Sequence, residues 1–373
     1  MSLETESDRR HLARAIELAE HGRGLVSPNP LVGAVIGQGG EVIGEGFHSA
    51  LGAPHAEVEA IEAAGGADLD GSTLYVSLEP CCHHGRTPPC TEAILRAGIA
   101  RVVVASDDPS PHASGRGLGI LRDEGVEVVL ANGELAARAR LQNQPFRKHA
   151  RTGRPWVLLK SAMSLDGKVA TRSGDSQWIS CEASRQRVHR WRAECDAVAV
   201  GIGSALADDP QLTARLPDVC GHCRRVVFDS LARLPLNSKL LKEARTDPVI
   251  VVVSRAAPRA STDTLVTHGA EVIVATGENE PARVRSALDQ LGAAGVTSIL
   301  LEGGPHLAGA FLDAGEIDEI RLFLAPLLLG GHTARDPIEG EGVDAIADAI
   351  RALTLECESS EDDLLISARL REW

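Results

Sequence analysis

Residues 73–97 read Thr-Leu-Tyr-Val-Ser-Leu-Glu-Pro-Cys-Cys-His-His-Gly-Arg-Thr-Pro-Pro-Cys-Thr-Glu-Ala-Ile-Leu-Arg-Ala. Its first six residues are, apart from Ser77, the β-branched, aromatic and aliphatic types that suit a strand, and residues 91–97 have helical spacing. A further β-branched run at residues 101–105 completes a strand–helix–strand unit. Working outward, the pattern predicts a helix over residues 10–20 and strands over 31–36 and 41–46 joined by Gly39-Gly40. A helix over 56–64, another helix after residue 105 and a last strand over 127–130 follow. Helices alternating with strands in this way specify an α/β sheet with helices on its faces.

A polar stretch, Lys148-His149-Ala150-Arg151-Thr152-Gly153-Arg154-Pro155, reads as a turn-like separator. The domain boundary is expected there, giving domains over residues 1–147 and 148–373. Beyond it, apolar runs at 156–160, 197–200, 225–228, 249–253, 271–275, 298–301 and 319–324 predict a second α/β unit, with a helix over 307–314. No internal repeat or low-complexity segment is seen.

The chain has 373 residues, enough for two or three domains, and 43% apolar with 24% charged residues is a globular composition rather than a disordered or fibrous one. Thirty-eight Lys and Arg against 52 Asp and Glu leave a net charge of −14, which argues against nucleic acid and anionic membranes as partners. The N-terminus has no signal-like apolar core and no later stretch offers a membrane span, so a cytoplasmic location is expected. In a reducing compartment the eight cysteines point to metal or catalysis rather than to disulfides.

His55-Ala56-Glu57 opens the 56–64 helix, Pro80-Cys81 closes a strand and Cys90 opens the next helix. A catalytic zinc takes three N or S ligands and keeps one open position, and His55, Cys81 and Cys90 supply that count. Glu57, two residues after the histidine, has the placement of an acid/base that stays outside the coordination shell. The two halves follow the H-x-E and P-C-x-x-C pattern of zinc deaminases, with the second half stretched to eight intervening residues. A structural zinc is the alternative; it would want a fourth ligand, for which Cys82, His83 and His84 are at hand. Against it, a structural site has no use for Glu57. The insert with His83 and Arg86 also reads as a loop covering a ligand, Arg86 being suited to phosphate. Ser27-Pro28-Asn29-Pro30 reads as a rigid turn, although the Asn29 amide would suit the edge of a pyrimidine. His48 is open between a surface role and a site role.

These residues carry a resemblance. Asn29-Pro30-x-Val32-Gly33, His55-Ala56-Glu57 and the whole run from Leu78 to Cys90 closely resemble the deaminase half of the RibD family of bifunctional riboflavin-biosynthesis enzymes. The run from Lys160 to Lys168, then Gly174-Asp175-Ser176-Gln177-Trp178-Ile179-Ser180, Asp208-Asp209-Pro210-Gln211-Leu212-Thr213-Ala214-Arg215 and Glu302-Gly303-Gly304-Pro305, resemble its reductase half. Cys82 and Met163 depart from the serine and the small residue common at those places. The resemblance implies a cytidine-deaminase-like N-terminal domain followed by a dihydrofolate-reductase-like C-terminal domain, using Zn2+ and NADPH. It implies Glu57 as the catalytic residue and His55, Cys81 and Cys90 as zinc ligands. Substrate contacts are implied at Asn29, His48, His83, Arg86, Lys160, Ser176, Leu212, Arg215 and Glu302, and cofactor contacts at Ala162, Trp178, Ser204, Asp208, Gly303 and Gly304. The implied substrate is a small phosphorylated pyrimidine, first deaminated at its 2-amino group and then reduced from ribosyl to ribityl. A homo-oligomer is expected, because family members self-associate.

Without the resemblance the second domain says less. Lys160 at a strand end reads as a snorkelling residue, and Arg215 as a salt-bridge partner of Asp208 and Asp209. Gly303-Gly304 at a helix start and Val200-Gly201-Ile202-Gly203-Ser204 after a strand expose backbone N–H groups suited to phosphate. The full G-x-G-x-x-G fingerprint is missing, so a nucleotide cleft at strand C-termini is expected rather than a Rossmann site. Arg172, Arg185 and Arg255 are unranked candidates for a 2′-phosphate. Cys220-Gly221-His222-Cys223 reads as an uninvolved loop. The competing readings are a deaminase of another pyrimidine nucleotide with a merely nucleotide-binding second domain, and a non-catalytic relative.

Overall fold

The computed structural model describes residues 5–84, 88–215 and 223–373. It divides into two compact units, Met1–Thr152 with Trp373, and Gly153–Glu372.

The first unit runs α1 (Glu6–Ala19), β1 (Gly33–Gln38), β2 (Glu41–Phe47), α2 (Ala56–Ala63), β3 (Thr73–Val76), α3 (Cys90–Arg96), β4 (Arg101–Val104), α4 (Arg116–Asp123), β5 (Glu127–Leu130), α5 (Glu134–Gln142) and α6 (Gln144–Thr152). Its sheet has the order β2-β1-β3-β4-β5, antiparallel among the first three and parallel among the last three. The inner strands β1, β3 and β4 are buried on both faces, and their alternation divides the core in two. Ala34, Ile36, Leu74, Val76, Val102 and Val104 pack with Ala56, Ala60, Ile94 and Leu121 of α2, α3 and α4. Val35, Tyr75 and Val103 pack on the other side with Leu12, Ala15, Ile16 and Ala139 of α1 and α5.

Two local readings need correction. α1 begins before residue 10, because Thr5 and Asp8 form a reciprocal capping box that satisfies the first-turn donors. The polar stretch read as a turn continues α6 as far as Thr152. In α6 Arg147 and Lys148 are buried, and Arg147 donates to Asp107 O at 2.8 Å and Ser106 Oγ at 3.1 Å, while Arg154 lies in the loop beyond.

The second unit runs β6 (Trp156–Ser164), α7 (Glu182–Glu194), β7 (Ala197–Gly201), α8 (Ile202–Asp208), β8 (Arg224–Phe228), α9 (Lys239–Lys242), β9 (Val249–Ser254), α10 (Arg259–Thr267), β10 (Glu271–Ala275), α11 (Glu280–Ala293), β11 (Ser298–Leu301), α12 (Pro305–Asp313), β12 (Glu319–Ala325), β13 (Thr354–Ser360) and β14 (Asp363–Arg369). The nine-stranded sheet has the order β10-β9-β8-β7-β11-β6-β12-β14-β13. All neighbours are parallel except at one edge, where β14 is antiparallel to both β12 and β13. Val157, Leu159, Ala199, Ile299 and Leu301 meet α11 and α12 through Leu288, Leu291 and Phe311. Lys160 is not a strand end: β6 continues to Ser164, and Lys160 pairs with Arg321 of β12 in register.

Candidate functional site

In the first unit the chemistry gathers at the start of α2 and α3. His55 is the N-cap of α2, with extended backbone, and Glu57 lies in its first turn. The helix is held directly on β2 by glycines: a Cβ at Gly44 would lie 2.2 Å from Ala60 O, and one at Gly46 would lie 2.5 Å from Ala60 N. Cys90 begins α3, and its N–H donates to Cys81 Sγ at 3.3 Å while the Thr91 N–H donates to Cys81 O at 3.2 Å. The two segments thereby close on each other.

His55 Nδ1 lies 3.2 Å from Cys90 Sγ and 3.5 Å from Cys81 Sγ, and all three donor atoms fall within 4.8 Å of one another. Tetrahedral Zn2+ bound to one imidazole and two thiolates would set N–S separations of about 3.6 Å, so this donor set fits the ion. A hydrogen bond from Cys90 and the adjacent His55 hold the Cys81 thiol down at about 4, as a thiolate. Cys90, donating to Cys81 and buried, is pushed up. Glu57 is 3% exposed, and burial together with the Cys81 thiolate raises its carboxyl to about 7. Such a group exchanges its proton readily near neutral pH.

Among the described residues the cluster has three members. The candidates for a fourth ligand lie elsewhere: the Cys82 thiol donates to His112 O at 3.7 Å, the His83 ring lies beside that of His112, and His84 faces Glu92. Arg86 lies outside the described residues. Asn29 and His48 form one unit, with Asn29 Nδ2 3.0 Å from His48 Nε2 and His48 Nδ1 3.0 Å from Pro54 O. The carbonyl requires an N–H on Nδ1, so Nε2 accepts from the amide, which fixes the orientation of the Asn29 amide and leaves its oxygen and its second N–H for other partners. The His48 ring sits edge-on to His55 at 5.4 Å. Glu79, which sequence reasoning passed over, is buried and accepts from the N–H groups of Gly115 and Gly117 at 3.0 and 3.2 Å, tying the cysteine loop to the start of α4.

In the second unit, a cleft of about 300 Å3 opens at the C-terminal ends of β7, β8, β9 and β10. Gly201, Gly203, Ser204 and Gly304 line it, and a Cβ at Gly304 would lie 3.3 Å from Ser204 Oγ. The two glycine-rich strand ends therefore meet. Gly303 adjoins the lining residues. The arginines on the cleft are Arg233, Arg283 and Arg335, not the three candidates taken from sequence. Arg185 instead lies 4.7 Å over the exposed Trp178 indole.

A second group surrounds Glu302, which follows β11. Arg192 of α7 grips its carboxylate at 2.6 and 2.9 Å and donates to Thr213 O at 3.2 Å. Burial disfavours the Glu302 charge, but Arg192 and Lys160 outweigh it and lower the carboxyl's pKa. Burial lowers Lys160, against the pull of Glu302. His189, one turn before Arg192, accepts the Arg215 N–H on Nδ1 at 3.3 Å. Arg215 donates to Gln211 Oε1 rather than to Asp208 or Asp209, so the expected salt bridge is replaced by a polar loop contact. Asp208 receives the Gln177 amide at 3.4 Å, which links the segment of Ser176 and Trp178 to the loop of Leu212. In that loop Leu212 is buried with φ +58, a conformation costing a non-glycine residue on the order of 1 kcal/mol. Ala162 is a partly buried residue of β6, on the strand that carries Lys160. Arg192 was missed because one arginine in a helix rich in them carries no spacing signal. Residues 220–222 of the Cys-Gly-His-Cys motif lie outside the described residues, and Cys223 is buried against Leu212 O.

The family model described as the cytidine and deoxycytidylate deaminase zinc-binding region matches residues 5–106, and that of the RibD C-terminal domain matches residues 155–364. The riboflavin biosynthesis protein RibD of Actinobacillus pleuropneumoniae is 40% identical over 368 residues, covering 98% of this chain and 96% of its own. That of Escherichia coli is 39% identical, covering 92% and 94%. Among solved structures, form 1 of Acinetobacter baumannii RibD is 37% identical with a TM-score of 0.87, covering 98% of this chain and 99% of that one. The Thermotoga maritima diaminohydroxyphosphoribosylaminopyrimidine deaminase/5-amino-6-(5-phosphoribosylamino)uracil reductase is 36% identical with a TM-score of 0.84, over 98% and 99%. The cytidine-deaminase-like and reductase domains thus follow each other in the expected order, and with such identity over nearly its whole length the chain belongs to the RibD family of bifunctional deaminase/reductases of riboflavin biosynthesis.

Proposed function

We propose that the chain carries out two successive reactions on one substrate. The first is hydrolytic deamination of 2,5-diamino-6-(5-phosphoribosylamino)pyrimidin-4(3H)-one, in a domain over residues 1–147. The second is NADPH-dependent reduction of the ribosyl group, in a domain over residues 148–373, giving 5-amino-6-(5-phosphoribitylamino)uracil. The observation that carries the reading is the convergence of His55 Nδ1, Cys81 Sγ and Cys90 Sγ within 4.8 Å beside the buried Glu57.

His55, Cys81 and Cys90 would hold Zn2+, which when bound would lower the pKa of a water beside Glu57. Glu57 takes a proton from the attacking water and returns one to the departing amine, a task suited to a carboxyl raised to about 7. Asn29, kept in one amide orientation by His48, offers an acceptor to the pyrimidine edge. His83 and Arg86 contact the substrate from the insert. In the second domain Ser204, Gly303 and Gly304 bind the cofactor phosphates, and Ala162, Trp178 and Asp208 complete its contacts. NADPH, when bound, would supply the hydride needed at the ribosyl C1′. Lys160, Glu302, Ser176 and Leu212 orient the sugar, and Arg215 holds its phosphate.

Among the described residues no helix is long and apolar enough to cross a membrane. The chain acts in the cytoplasm as a homo-oligomer, a reading supported by its cysteine clustering and by exposed apolar residues at the edge of the second sheet.

The test is one assay mixture containing the diaminopyrimidine ribosyl phosphate and NADPH. Ammonia release that a chelator abolishes, followed by NADPH oxidation, is the expected result. Ammonia without NADPH oxidation would overturn the reductase half, and chelator-insensitive release would overturn the metal site.

A further inference from the structure

We propose that Asp363 is a positioning residue of the reductase site, a carboxylate on the β13–β14 hairpin that clamps the first turn of α7 and thereby fixes the segment bearing Ser176 and Trp178. The inference rests on the reading of that site given above. The first N–H groups of a helix lack partners within it. In α7 the N-cap is Cys181, which makes no side-chain capping bond. Asp363 serves from outside the helix: its Oδ2 accepts from the Cys181 N–H at 2.8 Å and from the Ser184 hydroxyl at 2.6 Å. A hydroxyl has one proton to give, so Ser184 passes it to the carboxylate and accepts from Ser360 Oγ at 3.0 Å. The Cys181 thiol closes the ring of bonds by donating to Ser360 O at 3.1 Å.

Ser184, Ser360 and Asp363 are all buried, and none of them lines the cleft. A charge is costly to bury, and these bonds are what offsets that cost. They act on the segment leading into the helix. Arg185, next to Ser184, donates to Ser180 O and lies 4.7 Å over the Trp178 ring, so the turn that Asp363 holds also holds the exposed indole. Farther along α7, Trp191 is stacked on Phe323 at 5.5 Å and seats the rest of the helix independently. Removing the clamp therefore loosens the first turn and the Trp178 segment while α7 stays on the sheet.

The test uses the full chain with Asp363→Ala, Asp363→Asn and Ser184→Ala. NADP+ binding is read by calorimetry, reductase KM and kcat by turnover, and ammonia release serves as a control in the other unit. Asp363→Ala should raise the NADP+ Kd and the NADPH KM about five-fold or more with kcat changed less than about two-fold, as expected for loss of uniform binding. Asp363→Asn keeps an acceptor oxygen and should restore both to within about two-fold of the parent, with Ser184→Ala between them. If Asp363→Ala does not fold, Ser184→Ala and Asp363→Asn decide the matter by the same ordering. Unchanged Kd in Ser184→Ala, or a fall in kcat at unchanged Kd, overturns the clamp. A parent chain that binds no NADP+ overturns the site reading and the clamp together, whereas a binding parent with indifferent variants overturns the clamp alone.

Discussion

Glu57 lies where two cysteine sulfurs and an imidazole crowd a buried carboxyl, and in the proposed reaction its value is a proton rather than a charge. Glu57→Gln keeps the shape and removes the proton exchange, so ammonia release should fall by about 10²–10⁴-fold while bound zinc stays stoichiometric. Metal analysis beside the ammonia assay checks this, and a variant that still deaminates removes Glu57 from the mechanism. His11 supplies a different kind of residue-level prediction. It is buried on α1 against Tyr75, and neither ring nitrogen has a partner among the described residues. Burial, with Arg10 adding to it, lowers its pKa below 6.5 in the folded state. The proton then binds the unfolded chain more tightly, so the stability of the first unit is full above about 6.5 and declines as the pH falls through that value. The neighbouring Asp8 loses stability only far lower. Burial works against its charge, but Arg101 and Tyr75 hold its pKa at about 2. His11→Leu should therefore flatten the dependence of thermal unfolding on pH below about 6.5, leaving the slope due to His48 and His189. Parallel curves for variant and parent would count against it.

At the scale of elements, α2 matters because it carries both His55 and Glu57, and Gly44 sets its height above β2. Gly44→Ala drives a methyl into Ala60 O, and overpacking of this kind costs about 1–3 kcal/mol when the neighbour is backbone. Ammonia release should drop at least about ten-fold as the ligand and the acid/base shift together, with NADPH oxidation on the pre-deaminated substrate unchanged. Loss of both activities would mean that the strain is not confined to the first unit. The deaminase elements were legible because strand runs and helix spacing here agree with burial, and because metal chemistry limits ligand types and spacing. α6 and the β13–β14 hairpin were not. In α6 Arg147 is buried on carbonyl and hydroxyl oxygens and Lys148 lies buried over the Trp373 ring, so polarity pointed to a loop. In β13 the alternation is blurred, since residues 355–359 are all exposed. Arg192 and Asp363 act through partners 110 and 182 residues away in sequence, a relation that no local pattern encodes.

At the scale of the whole molecule, what stands out is the apolar surface left at one edge of the second sheet. β13 ends the nine-stranded order with one side unpaired, and Leu355 on it is 71% exposed. Leading into it, Ile346 is 82% exposed, and Val343, Ile350 and Leu353 are exposed as well. Isolated exposed leucines need no explanation, but several along one edge strand and the segment before it form the kind of surface that a lone soluble chain avoids. A net charge of −14 keeps copies apart in general, so an association must be local and apolar enough to overcome that repulsion. We expect a second copy of the chain to cover this edge. Light scattering at micromolar concentration should give at least twice the mass of one chain, and Leu355→Lys, which places a charge on the strand without touching either site, should shift the population to single chains. Ammonia release should persist in that variant, because the first unit keeps its own core and its own ligands. A parent protein that runs as a single chain at the same concentration would leave the edge unexplained and remove the homo-oligomer from the proposal.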